Sequence, residues 1–340
     1  MKNEIYFKLR SLLCLIGASI TIVSASQGEN SPPLILAKTI PLPGIIGGFN
    51  HHAADGRHHR LYVCATTNKS VEVLDLDSGK IVQRLPGEKP SAVEFAADLN
   101  ILSVSRGKTV ELYDAKSFAL LTTLTLPCSV DELHYDAGAK QLLAGCMNAP
   151  NEGVAPIDLI RQKVLSVIKT PHPQGFCLED GGRRVFVCTP QADQVTVIDR
   201  AKPESPATTW KLTTALGNYP AAFDPATHRL FVGCRHPAKL VVLDTDTGKA
   251  VASVDTGKDT DDLSFDPDRK RIYVACGEGV ISVIQQDDDD HYRSIATVTT
   301  ALGGRNSIFI RETGEFCVTV PQRGTQSAGV LGYQAQPAKL

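Results

Sequence analysis

What this 340-residue chain lacks is the first guide to its class. Beyond the first 25 residues no stretch carries the 3.6-residue apolar spacing of an amphipathic helix, which argues against helical bundles and α/β layers. No G-x-S-x-G, H-E-x-x-H or P-loop occurs in a supporting context, so no hydrolase elbow, zinc helix or phosphate cradle is indicated. No C-x-x-C-H is present for covalent haem. Basic excess is also missing: without residues 1–25 the chain holds 32 Lys and Arg against 36 Asp and Glu, a formal charge of −4. That balance argues against a broad nucleic-acid or anionic-membrane surface.

The first 25 residues read as a cleaved secretory signal. Lys2, Lys8 and Arg10 form a positive start, diluted by Glu4, and Ser11–Val23 is an apolar run too short to span a bilayer comfortably. Val23-Ser24-Ala25 supplies small residues for cleavage, while Leu13 before Cys14 does not fit a lipoprotein box. A periplasmic or secreted protein without a membrane span is expected.

What is present is a repeat. Short β-rich segments recur with anchors Leu61, Ile101, Leu142, Val185, Leu230, Ile272 and Phe316, separated by 40, 41, 43, 45, 42 and 44 residues. Such a period accommodates four strands and four tight turns, one blade of a β-propeller. A second marker keeps phase: Asp75, Asp114, Asp158, Asp199, Asp244, Gln285 and Gln334 follow each anchor by 13 to 18 residues, most closing an alternating strand. With strands lettered A to D outward from the axis, the seventh repeat runs out after strand C near Gly329–Tyr333. Residues Ile35–Ile40 have the pattern of an outer strand and are expected to complete it, leaving no open edge. The expectation is an all-β, seven-bladed propeller over residues 34–334, with a tail at 335–340 and no internal domain boundary.

Leu61-Tyr62-Val63-Cys64-Ala65, Val185-Phe186-Val187-Cys188-Thr189 and Ile272-Tyr273-Val274-Ala275-Cys276 resemble the YVTN motif of YVTN-repeat propellers, and Asp244-Thr245-Asp246-Thr247-Gly248-Lys249 is similar to that family's turn. The resemblance covers nearly the whole chain after the leader and is greatest to the exported, YncE-like bacterial branch, which implies seven blades and no assigned reaction. The Thr-Asn of the motif is largely replaced here by Cys, Gly or Ala, so no asparagine ladder is implied. Quinoprotein propellers share the turn, but their blade motif ends in Trp where this chain is aliphatic, and Trp210 is its single tryptophan.

Strand A starts and strand B exits meet at one mouth of a propeller channel, so chemistry is sought there. The candidate ligand-binding residues are His51, Arg106, Asp131, His172, Arg235, Asp261, Arg305 and Arg323. Four arginines would suit a carboxylate or phosphate; equally, Arg305 could serve as structural glue to Asp261 or Asp262. His51, His172, Asp131 and Asp261 lack local metal-ligand spacing, and neither metal nor cofactor is expected. Cys64, Cys146, Cys188, Cys234 and Cys276 fall at near-equivalent strand B positions, too far apart for bridging between blades, so buried thiols are expected, with Cys128–Cys146 the pair to test. The leading expectation is a monomeric, non-enzymatic binding or scaffold protein for a small anionic or polar ligand or a protein partner. An axial, metal-assisted lactonase-like hydrolase is the alternative, and nucleic-acid binding a second.

Overall fold

Apolar residues alternating at period two, cut every few residues by Asp- and Gly-bearing turns, leave room for strands and little else. The computed structural model describes residues 31–337 apart from positions 180, 182 and 206; the leader expected at residues 1–25 lies outside them. Its elements are strands and a single 3-10 turn, Thr66–Asn68. Among the described residues no helix is long and apolar enough to cross a membrane.

Blade one sets the pattern as an antiparallel meander: strand A Phe49–Asp55, B Arg60–Ala65, C Ser70–Asp75 and D Lys80–Pro86. Five further blades begin their A strands at Pro90, Val130, Gly175, Leu216 and Thr260. The seventh contains Asn306–Ile310, Glu315–Val320 and Gly329–Ala335, and Leu34–Pro41 pairs with the last of these, from Leu34 opposite Ala335 to Pro41 opposite Gly329. The ring is closed by the N-terminal strand, as the repeat count required.

The phased aspartates are turn devices. Asp75 Oδ1 accepts the Ser78 amide at 2.7 Å and the Ser78 hydroxyl at 2.6 Å, and Asp244 does the same for Thr247 at 2.8 Å each. Gly79 and Gly248 follow at φ +65° and +72°, backbone that a side chain would strain.

Two details depart from the sequence expectation. Arg60 pairs with Asp75 and Gln141 with Asp158, but in blade two it is Ile101 that pairs with Asp114. Its anchor is therefore Leu102, not Ile101; an apolar residue stands where other blades carry Arg, Gln or Glu, and the pattern slides by one. In blade three the outer strand is split into Lys163–Val164 and Ile168–Lys169. Pro156 in strand C explains the gap, because its carbonyl accepts the Leu165 amide from that side but its nitrogen has no hydrogen to return.

Strand B is the buried strand of each blade. Leu61, Tyr62, Val63, Cys64 and Ala65 are all 0% exposed. The buried apolar residues form seven clusters, one at each contact between neighbouring blades. The closing contact joins Ile40, Cys317 and Val330 to Leu61, Val63 and Leu74.

Cys128 and Cys146 form a disulfide across 18 residues, tying the approach to strand A of blade three to the end of its strand B. Peptides containing these cysteines should stay linked until reduction, and replacing both with alanine should cost about 3 kcal/mol by loop-entropy reasoning, read from a urea midpoint. Ile40, 2% exposed, seals the ring, so Ile40→Ala should cost about 2–4 kcal/mol in the same measurement. A loss near zero would mean that the N-terminal strand does not stabilise closure.

Candidate functional site

The A strands converge on the axis, and most do so with an irregular start. In five blades the register with strand B slips at the same place: between Phe49 and His52, Pro90 and Val93, Val130 and Glu132, Asn218 and Ala221, and Thr260 and Asp262. A bulge turns two successive side chains toward one side, which strict alternation forbids. Asn50 with His51, Asp131 with Glu132, and Asp261 with Asp262 consequently all line a single cavity of about 550 Å³ at the channel mouth.

Every blade contributes to that cavity, with Glu94 from blade two, His134 from blade three, Gln174 and Gly175 from blade four, and Tyr219 and Arg235 from blade five. Close packing fixes the wall: a Cβ on Gly175 would stand 2.0 Å from the Tyr219 carbonyl oxygen.

Ion pairs organise the polar lining. Arg235 Nη2 donates to Asp261 Oδ1 at 2.6 Å and its Nε to the Thr260 carbonyl at 2.9 Å, while its guanidinium lies 3.5 Å from the centre of the Tyr219 ring. Arg305 reaches Asp261 Oδ2 at 3.1 Å through Nε and Asp259 Oδ1 at 2.9 Å through Nη1. His51 Nδ1 meets Asp262 Oδ1 at 3.1 Å, and Asp262 Oδ2 accepts the Ser307 amide at 2.9 Å. His134 Nε2 meets Glu132 Oε1 at 2.9 Å, and Glu132 Oε2 accepts the Phe176 amide at 2.9 Å.

These contacts set the protonation states. Burial opposes charge on His51, but Asp262, with Glu132 and Asp131 behind it, outweighs burial and raises the imidazole to about 10. On Asp262 burial pushes upward, and the His51 charge and hydrogen bond carry the net shift downward. Adjacent His52 is held neutral: burial lowers it to about 4, and its Nε2 lies 2.9 Å from Thr319 Oγ1. Burial raises Glu94 to about 7.

Of the candidate residues from sequence, His51, Asp131, Arg235, Asp261 and Arg305 line the cavity, and three do not. Arg106 is 8% exposed and locked beneath the turn, its Nε on Glu111 at 2.5 Å and its Nη atoms on the carbonyls of Gly87 and Leu85. His172 lies outside the lining, with Nδ1 3.5 Å from Glu152. Arg323 is exposed in a loop, its backbone paired with Gln326. Nor are Arg235 and Arg305 open to an anion, since carboxylates already hold them. Glu94, His134 and Ser264 were missed because they lie within strand A instead of at its start. The signal was available as period-two partners of Ala92, Glu132 and Asp262.

Burial holds five of the described thiols in the protonated form. Burial raises Cys234 to about 12, Cys276 to about 11 and Cys317 to about 12, and moves Cys64 and Cys188 the same way. Among the described residues no three His, Cys, Asp or Glu side chains gather as a metal-ligand set. The acidic run at Asp287–Asp290 is a paired surface turn, with Arg293 on Asp287 and Arg229 on Asp290 at 2.8 Å each.

No family model matches the chain, and no curated protein does. Its similarity is to solved structures. A chain of a mitotic checkpoint complex superposes with TM-score 0.72 at 17% identity, covering 96% of this chain and 99% of that one. A chain of Kuenenia stuttgartiensis hydrazine synthase gives 0.72 at 15% identity, covering 84% and 95%. The likeness is one of fold alone. As 1615 solved chains share it, the architecture selects no chemistry and the site must be read from its own residues.

The His51–Asp262 pair makes a signed prediction. A histidine raised from its ordinary 6.5 to about 10 stabilises the fold fully below 6.5 and loses that contribution as pH rises toward 10. Urea midpoints at pH 7.5 and 9.5 should therefore fall for the native protein and fall less for His51→Gln. Equal slopes would show that the pair does not form.

Proposed function

We propose that this chain is an exported binding protein that takes a small polar ligand into the funnel at its channel mouth. The observation that carries this reading is the cavity itself: about 550 Å³, lined from all seven blades by charged and polar side chains, at the face where inter-strand loops converge. Charged groups held in fixed pairs orient a ligand without reorganising to receive it. The secretory leader expected from the sequence supports placement outside the cytoplasm.

Hydrolysis draws less support. Thr319 is the hydroxyl within reach of His52, but it is 2% exposed and engaged with the Asn306 carbonyl at 3.4 Å, so it lacks the accessible nucleophile geometry that acyl transfer needs. Nucleic-acid binding would need free cations around the mouth, where Arg235 and Arg305 are neutralised by Asp259 and Asp261.

A thermal-shift panel of small charged and polyhydroxylated molecules tests the reading. At least one compound should stabilise the native protein, by about 2.7 kcal/mol at a hundredfold excess over its dissociation constant. Gln174→Trp, which places an indole in the cavity wall, should abolish that shift while leaving the unliganded midpoint nearly unchanged. A panel with no stabilising compound, or a shift that survives Gln174→Trp, would refute binding in this funnel.

A further inference from the structure

Two carboxylates of the funnel are left with little to hold them. Its arginines donate to Asp259, Asp261 and the Thr260 carbonyl, and His51 and His134 are occupied by Asp262 and Glu132. The carboxyl of Glu94, half-buried on blade two, has no side-chain partner among the described residues. On neighbouring blade three, Asp131 is approached by the Asn50 amide at 3.4 Å alone. Ser307, 7% exposed and lining the same cavity, has a hydroxyl without any hydrogen-bond partner. His52 Nδ1 is also buried and unpartnered. Because Thr319 Oγ1 donates to the Asn306 carbonyl, His52 must donate from Nε2 to Thr319, which leaves Nδ1 with a lone pair.

Under-satisfied carboxylates facing a cavity call for a donor-bearing complement. Building on the reading of the funnel as a binding site, we infer that its ligand is a small organic cation bearing one or more ammonium groups, held by Glu94 and Asp131. An ammonium offers three donors and no acceptor, which suits a pair of carboxylates. The charges agree in sign: Glu94, Asp131, Glu132, Asp261 and Asp262 face Arg235, Arg305 and the imidazoles of His51 and His134. Glu94 and Asp131 stand on blades two and three, away from the arginines of blades five and seven, and the cations they feel are the imidazoles of His134 and His51. An anion would first have to displace Asp259 and Asp261 from both guanidiniums. A bare divalent metal would ask for three or more ligands in a set, and the acids and imidazoles meet here in pairs. An ammonium needs no such geometry. Its charge would also favour ionised Glu94, which burial and the neighbouring Glu132 carboxylate hold back.

Calorimetry on the mature protein with 1,4-diaminobutane, and with succinate and myo-inositol at the same concentrations, tests this inference. The diamine should bind with one-to-one stoichiometry and weaken as salt is raised, while succinate gives no heat. Glu94→Gln and Asp131→Asn preserve side-chain shape and should each weaken the diamine at least tenfold while the unliganded protein still unfolds cooperatively, at or above the native melting temperature for Glu94→Gln. A silent diamine, or a diamine whose affinity both variants leave unchanged, overturns the inference. Succinate or inositol binding in place of the diamine overturns it too, yet leaves a binding funnel standing; the broader panel with Gln174→Trp decides that question separately.

Discussion

The burial of strand B between neighbouring blades is the interaction on which the rest of the molecule depends. Each B strand has one blade on either side, so both of its faces are apolar and the usual alternation disappears. Val63, Val104, Ala144, Val187, Val232, Val274 and Val318 occupy one equivalent position in the seven blades, and all are 0% exposed. At about 1.5–3 kcal/mol for each fully buried aliphatic side chain, these contacts supply much of what opposes chain entropy. No blade can bury both faces alone, so stability exists only in the closed ring, and the strand Leu34–Pro41 gives the last blade its fourth member.

Packing of this kind leaves the axis to polar groups. Seven A strands cannot all touch across the centre, and the space between them admits water and ligands. The bulges at the A strand starts use that space, directing consecutive residues inward where a regular strand would send every second one back into a blade interface. Ion pairs such as Arg305–Asp261 then link neighbouring A strands at a point where no apolar contact is available to do so.

These two regimes explain what was legible in the sequence. Anchors and turn aspartates repeat because every blade meets the same packing demand, so the number of blades, their order and the closing strand could all be read from spacing. The anchor of blade two slid by one residue because Ile101 obeys the apolar rule at a position where its counterparts do not. Site residues were read by proximity to strand ends, and of these His51, Asp131, Arg235, Asp261 and Arg305 line the cavity. The same rule failed for Arg106, where a carboxylate five residues away, Glu111, captures the guanidinium inside the blade. It also passed over Glu94, whose strand opens with the bland Pro90-Ser91-Ala92. Chain position locates a strand end; which way each side chain turns there depends on a bulge and on partners supplied by other blades.

A ring of near-identical units carries its specificity where the units differ. Opposite that row of six valines and one alanine, one step toward the channel mouth on strand A, stand His51, Ala92, Glu132, Gly175, Pro220, Asp262 and Asn306. No two are alike, although each sits in an equivalent backbone setting. Folding needs only that this position not obstruct the axis, a condition that alanine or glycine would meet in every blade. Charges placed there incur a desolvation cost that small residues would avoid. Their concentration on blades one, three and six, with Glu94 added from blade two one period further in, gives the funnel an asymmetry that closure of the ring does not require, and a feature the fold does not require is where function is to be sought.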